Sequence, residues 1–490
     1  MKCFTYKSHS VLYDAVLSIS LEHNNDIAIE HVTGEKVTFD QLIKKIDLCA
    51  YNLHSLGIVS GQCVAVSLQN SIEYISLIIA CAKIGISYVP ILESFSKEYA
   101  TLALKKINPV ALITDSSRNT KGLKIENIFL KRLFEDTDNG ELEKPPIIYS
   151  GNFRMLWSSG STGFPKIIIW NQENFVLERL RWIRNIKITP KDIVFCRHTL
   201  DVAHATDLHV FTSLLSGAKL VLCSGKEHTI ELIELIDKFK PTVMSALPSH
   251  YKCFADEIVG KNVSALRSLR MPFCGGSYVN IDLLMYVYKR TGLKLRQLYG
   301  STDFGLAMVN YYSEDNLDLG MTVLKGVNAQ IIELPGLEES SGELVLFSPF
   351  TSDGYLKNDP ENAKSFKNGF YYTGDIATIR ENWTYIIQGR VSDLIITPEG
   401  PRFVPELDSI LSDNTKKISV FTMIDASKKN NILIAIHSTS NEGNRITINK
   451  IESLLSLWKV TYTIFTLDDI PLTSVGKIDK PKIFARQINF

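Results

Sequence analysis

From Thr38 to Tyr299 the chain alternates short apolar runs with stretches whose apolar residues recur at helical spacing. That alternation narrows the fold to layered α/β, with mostly parallel sheets. Thr38 followed by Gln41 forms a capping-box signature for a helix to about Gly57, with Leu42, Ile46, Ala50 and Leu53 on one face. Val64–Leu68 then reads as a strand, Ser71–Lys83 as a helix and Tyr88–Ile91 as a strand end. The rhythm returns with a helix over Glu227–Phe239, a strand over Thr242–Ala246, a helix over Ile281–Thr291 and a strand over Lys294–Tyr299. At 490 residues the chain exceeds one hydrophobic core and divides into at least two domains. After about Gly342 the texture shifts to shorter β-like segments and Gly/Asn/Asp turns, with no internal repeat or low-complexity tract.

Charge excludes some partners. Lys+Arg and Asp+Glu both number 53, so there is no net field to recruit nucleic acid or an anionic membrane. The longest apolar stretch, Tyr74–Leu92, carries Lys83 and is broken by Gly85 and Pro90, so it reads as a buried helix leading into a strand, not a membrane span. The N-terminus lacks an apolar signal core. The eight cysteines show no C-x-x-C pair and no clustering with histidine, which reads as small buried side chains in a reducing compartment. The expected location is the cytoplasm.

The chemistry is concentrated at Ser158-Ser159-Gly160-Ser161-Thr162-Gly163-Phe164-Pro165-Lys166, after the apolar run Met155-Leu156-Trp157. Glycines let backbone N–H groups converge on one point, such concavities bind anions, and hydroxyls and a lysine add donors suited to phosphate. Taken alone, the segment leaves open a second reading, a flexible Ser/Gly loop between two strands. It is not the G-x-x-x-x-G-K-[ST] loop, since no Ser or Thr follows Lys166. Downstream follow Tyr299-Gly300-Ser301-Thr302-Asp303, Tyr371-Tyr372-Thr373-Gly374-Asp375, Gly389-Arg390-Val391-Ser392-Asp393 and Pro471-Leu472-Thr473-Ser474-Val475-Gly476-Lys477-Ile478-Asp479. Upstream are Val37-Thr38-Phe39 and Ala82-Lys83-Ile84-Gly85-Ile86-Ser87-Tyr88-Val89-Pro90.

In this order the set resembles the adenylate-forming superfamily: acyl- and aryl-CoA synthetases, luciferases and the adenylation domains of nonribosomal peptide synthesis. The resemblance covers nearly the whole chain and is nearest to a stand-alone adenylation domain, with no carrier or condensation domain appended. It implies a large core of layered sheets and helices over residues 1–391 and a small mobile α+β lid over 392–490, with Asp393 as hinge. It also implies ATP and Mg²⁺ as cofactors and a small carboxylic acid as substrate. By resemblance, Ser158, Ser159, Gly160, Ser161, Thr162, Gly163 and Lys166 wrap the β- and γ-phosphates. Gly275, Gly276 and Ser277 admit the base, Tyr299 stacks near it, and Gly300, Ser301 and Thr302 lead to the α-phosphate. Asp303 holds Mg²⁺, Asp375 takes the ribose hydroxyls and Arg390 supports the ribose–phosphate side. Lys477 bridges the substrate carboxylate and the α-phosphate, so Lys477, Thr302 and Lys166 are the expected catalytic groups. Alone, Lys477 would be a solvated tail lysine, Asp375 a turn cap and Gly275–Ser277 an ordinary turn.

The family usually has Glu where this chain has Asp303, which keeps the charge and oxygen ligands but is one methylene shorter. A nucleotide-binding protein without catalysis is the reading that departure opens. The motif ending in Gly476-Lys477-Ile478-Asp479 resembles adenylation domains that load carrier proteins, implying a phosphopantetheine thiol as acceptor, with free CoA as the alternative. Aligning Ser213–Gly217 with the family segment and counting back puts His204 where α-amino-acid activators carry aspartate. An ammonium buried without a counter-charge is costly, so the acid is expected to be aryl, hydrophobic or otherwise not a standard α-amino acid. Asp201 and Asp207 flank the position and leave an amine, including a β-amine, open. The remaining pocket positions are Ala205, Leu208, Ala246, Phe273, Gly275, Leu298, Leu306 and Ala307, apolar and mostly small. His204 is then a gate, a hydrogen-bonding partner for a substrate hydroxyl, or a satisfied core histidine.

Overall fold

The computed structural model describes residues 10–93, 95–115, 125–135, 151–158, 165–258, 263–310, 317–398, 400–404, 407, 418–424, 431–438, 441–471 and 483. By compactness the chain divides into two units. The larger runs through Val327 and takes back Ser348–Ala363; the smaller contains Asn328–Phe347 and the chain from Lys364 onward. This division assigns the β-rich segments before residue 391 to the smaller unit.

The larger unit is layered α/β as expected. Its nine-stranded sheet runs, edge to edge, Thr322–Val323, Gly305–Val309, Arg296–Ser301, Met271–Cys274, Val243–Ala246, Ile193–Cys196, Lys219–Leu222, Ile27–His31, Lys36–Thr38. The pairings from Arg296–Ser301 through Ile27–His31 are parallel, and the strands at both edges are antiparallel. A second, seven-stranded sheet is built around Cys63–Ser67, with Ser87–Pro90 and Ala111–Thr114 parallel on either side.

Local signals account for the helices between these strands. The capping box is formed: the Gln41 N–H donates to Thr38 Oγ1 at 3.2 Å, and Gln41 Oε1 accepts from the Thr38 N–H at 2.9 Å. The helix Phe39–Ser55 that follows buries Leu42, Ile46, Ala50 and Leu53, the face read from the sequence. Ser71 is the N-cap of the helix Ile72–Lys83, buried along almost its whole length, as an all-round apolar helix must be. Lys83 survives there because its ammonium donates to Asp47 at 2.6 Å and lies 4.0 Å from the centre of the Tyr13 ring. Every described cysteine is a free thiol, and no helix among the described residues is long and apolar enough to cross a membrane.

The smaller unit holds a five-stranded antiparallel sheet that includes Ser341–Phe347, Phe370–Ile379 and Tyr385–Arg390. It also holds a two-stranded ribbon, Leu394–Thr397 with Gly400–Phe403, and a three-stranded sheet, Ile418–Ile424, Asn431–Ser438 and Thr461–Leu467. Ile432, Ile434 and Ile436 on the middle strand of that sheet pack with Ile451, Leu455 and Trp458 of the helix Asn441–Trp458. This is the small α+β domain the sequence implies.

Candidate functional site

Parallel strands end their side-by-side run at one sheet edge, and ligands in α/β folds bind beyond the carboxyl ends. Cys196, Ala246, Cys274 and Ser301 end four adjacent strands of the large sheet, so the segments that follow them are brought to one edge. Those segments carry His198, His204, Leu247, Gly275, Gly276, Thr302 and Asp303.

The two glycines are required by packing. A Cβ on Gly275 would stand 2.6 Å from the Leu298 carbonyl oxygen, and Gly276 has φ +79° with its Cβ position 3.3 Å from His204 Nδ1. Leu247 closes the same spot, its Cδ2 lying 3.0 Å from that Cβ position. Among the expected pocket residues Ala205, Leu208, Ala246, Phe273, Leu298, Leu306 and Ala307 are all buried. They do not share one surface. Ala246 sits in the core cluster with Met244 and Cys274, whereas Phe273, pointing to the opposite face by strand alternation, lies 5.2 Å from the Trp182 ring.

A histidine group surrounds Ser245. The Ser245 N–H donates to His209 Nε2 at 3.1 Å, its carbonyl accepts from His198 Nε2 at 3.2 Å, and its hydroxyl meets His204 Nε2 at 2.9 Å. Because His209 Nε2 accepts, Nδ1 carries the proton that it donates to the His204 carbonyl at 3.0 Å. His204 and His209 align because Thr206–Val210 is a π-helical turn that brings residues five apart together. Burial holds His198 well below the usual imidazole range and lowers His209 to about 4 and His250, 5.5 Å from the His198 ring, to about 3. Sequence reasoning found only His204. The spacing His198-x5-His204-x4-His209 was the available signal.

Both flanking aspartates are engaged. Asp207 makes a two-pronged ion pair with fully buried Arg154, at 2.5 and 2.8 Å. Burial alone would raise its pKa, but the Arg154 guanidinium outweighs that and leaves the carboxyl below its ordinary value. Asp201 accepts from Thr199 Oγ1 at 2.5 Å and from the Glu93 N–H at 3.3 Å, and burial raises it.

The segment Ser158–Lys166 joins two antiparallel strands, Asn152–Trp157 and Ile167–Asn171, and the Ser158 N–H closes its base on the Lys166 carbonyl at 2.9 Å. Ser159 to Gly163 and Lys477 lie outside the described residues. The Lys166 ammonium donates to Glu361 and lies 4.8 Å from the Tyr355 ring centre. Thr302 and Asp303 occupy the short turn of the hairpin formed by Arg296–Ser301 and Gly305–Val309, with Tyr299 and Ser301 on its first strand. In the smaller unit, Asp375 and Arg390 are cross-strand partners with a 2.8 Å ion pair, and Arg390 also donates to the Thr373 carbonyl at 3.2 Å. Asp393 ends the single turn Val391–Asp393 between two strands.

The profile of the AMP-binding enzyme family matches residues 20–356. The chain therefore belongs to the AMP-binding enzymes, within the adenylate-forming superfamily. It is an AMP-forming ligase that uses ATP with Mg²⁺. It is 23% identical to enterobactin synthase component E of Escherichia coli (strain K12) over 508 residues, covering 95% of this chain and 93% of that protein. It is 24% identical to 4-coumarate–CoA ligase 4 of Arabidopsis thaliana over 509 residues, covering 94% of this chain and 87% of that protein. ATP-bound MatB from Rhodopseudomonas palustris shares the fold with a TM-score of 0.83 at 18% identity, over 98% of this chain and 99% of that one.

The residues fit Mg²⁺. That ion takes one or two carboxylates plus substrate phosphates, not an all-protein cage. Among the described residues no three His, Cys, Asp or Glu side chains gather to hold a metal, while Asp303 offers one buried carboxylate on a fixed turn.

Proposed function

We propose that the enzyme activates an acid other than a standard α-amino acid, aryl or hydrophobic in character, and passes it to the phosphopantetheine thiol of a carrier protein. In the first step a carboxylate oxygen of the acid attacks the α-phosphorus of ATP. The bond from that phosphorus to the bridging oxygen breaks, and pyrophosphate leaves. In the second step the thiol sulfur attacks the acyl carbon, AMP departs with the former carboxylate oxygen, and the thiol proton passes to solvent. The first step brings two anions together, so positioned positive charge must supply most of the rate. Lys166 and the Ser158–Gly163 segment take the β- and γ-phosphates, Thr302 the α-phosphate, Asp375 and Arg390 the ribose side, and Lys477 the reacting carboxylate and phosphorus. Asp303 would hold Mg²⁺, which when bound would offset phosphate charge.

The observation that carries the substrate reading is the commitment of Asp207 to Arg154. Asp201 is likewise held, by the Thr199 hydroxyl and the Glu93 N–H, so among the described residues neither flanking carboxylate is left over to pair with an ammonium at His204. The amino-acid reading is therefore not favoured, and neither is the non-catalytic one. Free CoA is a second reading of the acceptor, supported by the likeness to 4-coumarate–CoA ligase as the likeness to enterobactin synthase component E supports the carrier. Free thiols, most of them buried, accord with work in the cytoplasm.

Pyrophosphate release over aryl, fatty, hydroxy, α-amino and β-amino acids, with carrier protein, with CoA and with neither, tests this. Release with aryl or hydrophobic acids, completed to a thioester on the carrier, is expected. Strong release with α-amino acids would sink the substrate assignment, and thioester formation on CoA alone would sink the acceptor assignment.

A further inference from the structure

The turn that carries Thr302 and Asp303 is held by side chains from elsewhere in the larger unit. The Trp170 indole N–H donates to the Thr302 carbonyl at 2.9 Å, and the Ser352 hydroxyl donates to the Asp303 carbonyl at 2.5 Å. Thr351 adds a donor to the same oxygen at 3.3 Å. Beyond the turn, Glu178 accepts the Leu306 N–H at 2.9 Å and Arg181 donates to the Leu306 carbonyl at 2.7 Å. Trp170, Ser352, Glu178 and Arg181 are all buried, so these bonds compete little with water.

Two of these donors act on consecutive carbonyls. Fixing the carbonyls of residues 302 and 303 fixes the peptide planes on either side of Asp303, and so the direction in which its Cβ leaves the backbone. Only two side-chain torsions then remain to place the carboxylate. A glutamate could make up a misplaced backbone with its additional methylene, and an aspartate cannot. Trp170 also lies on the strand that leaves Lys166, which ties the turn to the strand after the Ser/Gly segment.

The geometry points to Ser352 and Trp170 as positioning residues for the metal-bearing turn: they hold the Asp303 backbone where its short carboxylate reaches the Mg²⁺ of bound ATP. This rests on the assignment of Asp303 to Mg²⁺. Neither residue touches nucleotide in this scheme; each acts through a backbone carbonyl of the turn.

The test uses the full chain with Ser352→Ala, Ser352→Thr, Trp170→Phe and Asp303→Asn. Binding of ATP is measured by calorimetry without acid, so no turnover occurs, over a range of free Mg²⁺. Pyrophosphate release and thermal midpoints are measured in parallel. Ser352→Ala and Trp170→Phe should each raise the Mg²⁺ needed for half-maximal ATP binding by about five- to tenfold, with the KM for acid changed less than about twofold. Ser352→Thr, which keeps the hydroxyl, should restore it. Asp303→Asn should shift the Mg²⁺ requirement further, and adding Ser352→Ala to it should change nothing more. A shifted Asp303→Asn beside unshifted Ser352→Ala and Trp170→Phe overturns the positioning role alone. An unshifted Asp303→Asn overturns the metal assignment and the positioning role together. If Trp170→Phe fails to fold, Ser352→Ala decides.

Discussion

Asp207→Asn separates a structural from a recognition role for the acid beside His204. The Arg154 side chain has no exposed surface; besides the two bonds it donates to Asp207 it has a 3.2 Å contact with Thr206 Oγ1 and lies over the Phe175 ring at 4.2 Å. Its Nε is already buried without a hydrogen-bond partner among the described residues. Removing one partner of a buried ion pair costs about 3–5 kcal/mol, because the remaining charge stays desolvated. At roughly 2–4 °C per kcal/mol for units of this size or somewhat smaller, the larger unit should melt about 6–20 °C lower. Asp207→Leu combined with Arg154→Met removes both charges and should recover most of that loss, since apolar replacement of a whole pair is often neutral. Thermal unfolding followed by circular dichroism, alongside pyrophosphate release with each acid, provides the readout. A variant with a wild-type midpoint that has lost turnover on an amine-bearing acid would refute the argument, since Asp207 would then be spent on substrate.

Gly275→Ala should abolish most adenylation while lowering stability by only about 1–3 kcal/mol, because the new methyl meets the Leu298 carbonyl at 2.6 Å and displaces the Gly275–Gly276 turn; activity and urea midpoints measured together check this. Glu361→Gln should lower the KM for ATP by up to about fivefold, since a partly exposed pair is worth about 1 kcal/mol and Lys166 must exchange Glu361 for phosphate. An unchanged or raised KM would show that Glu361 orients Lys166 and does not compete for it. Stability should fall on acidification. His209 is neutral when folded and titrates at about 4, so its contribution is complete above about pH 6.5 and drains as pH drops toward 4, by about 3 kcal/mol. His209→Asn should flatten the dependence of the urea midpoint on pH between 7 and 4.5.

The elements with a strong local signal were legible in the sequence. The capping box at Thr38, the all-apolar helix before Gly85 and the helix Ile281–Thr291 formed as read, because caps and periodicity act over a few residues. The helix expected from Glu227 begins at Thr229, since Glu227 is occupied in accepting from the Ser224 and Gly225 N–H groups. Pocket positions counted along the sequence fared differently. Ala246 and Phe273 are on neighbouring parallel strands yet face opposite sides, a consequence of period-two alternation that a position list does not carry.

Sequence alone therefore determined the family, the layered α/β class and the order of the nucleotide motifs, because each rests on residues close together in the chain. The histidines around Ser245, the surrender of Asp207 to Arg154 and the pinning of the Thr302–Asp303 turn by Trp170 and Ser352 were decided only by the tertiary structure. Each joins groups between 36 and 132 residues apart. Whether a buried aspartate is free for a ligand depends on what lies across the core from it, and only folding brings that partner within 3 Å.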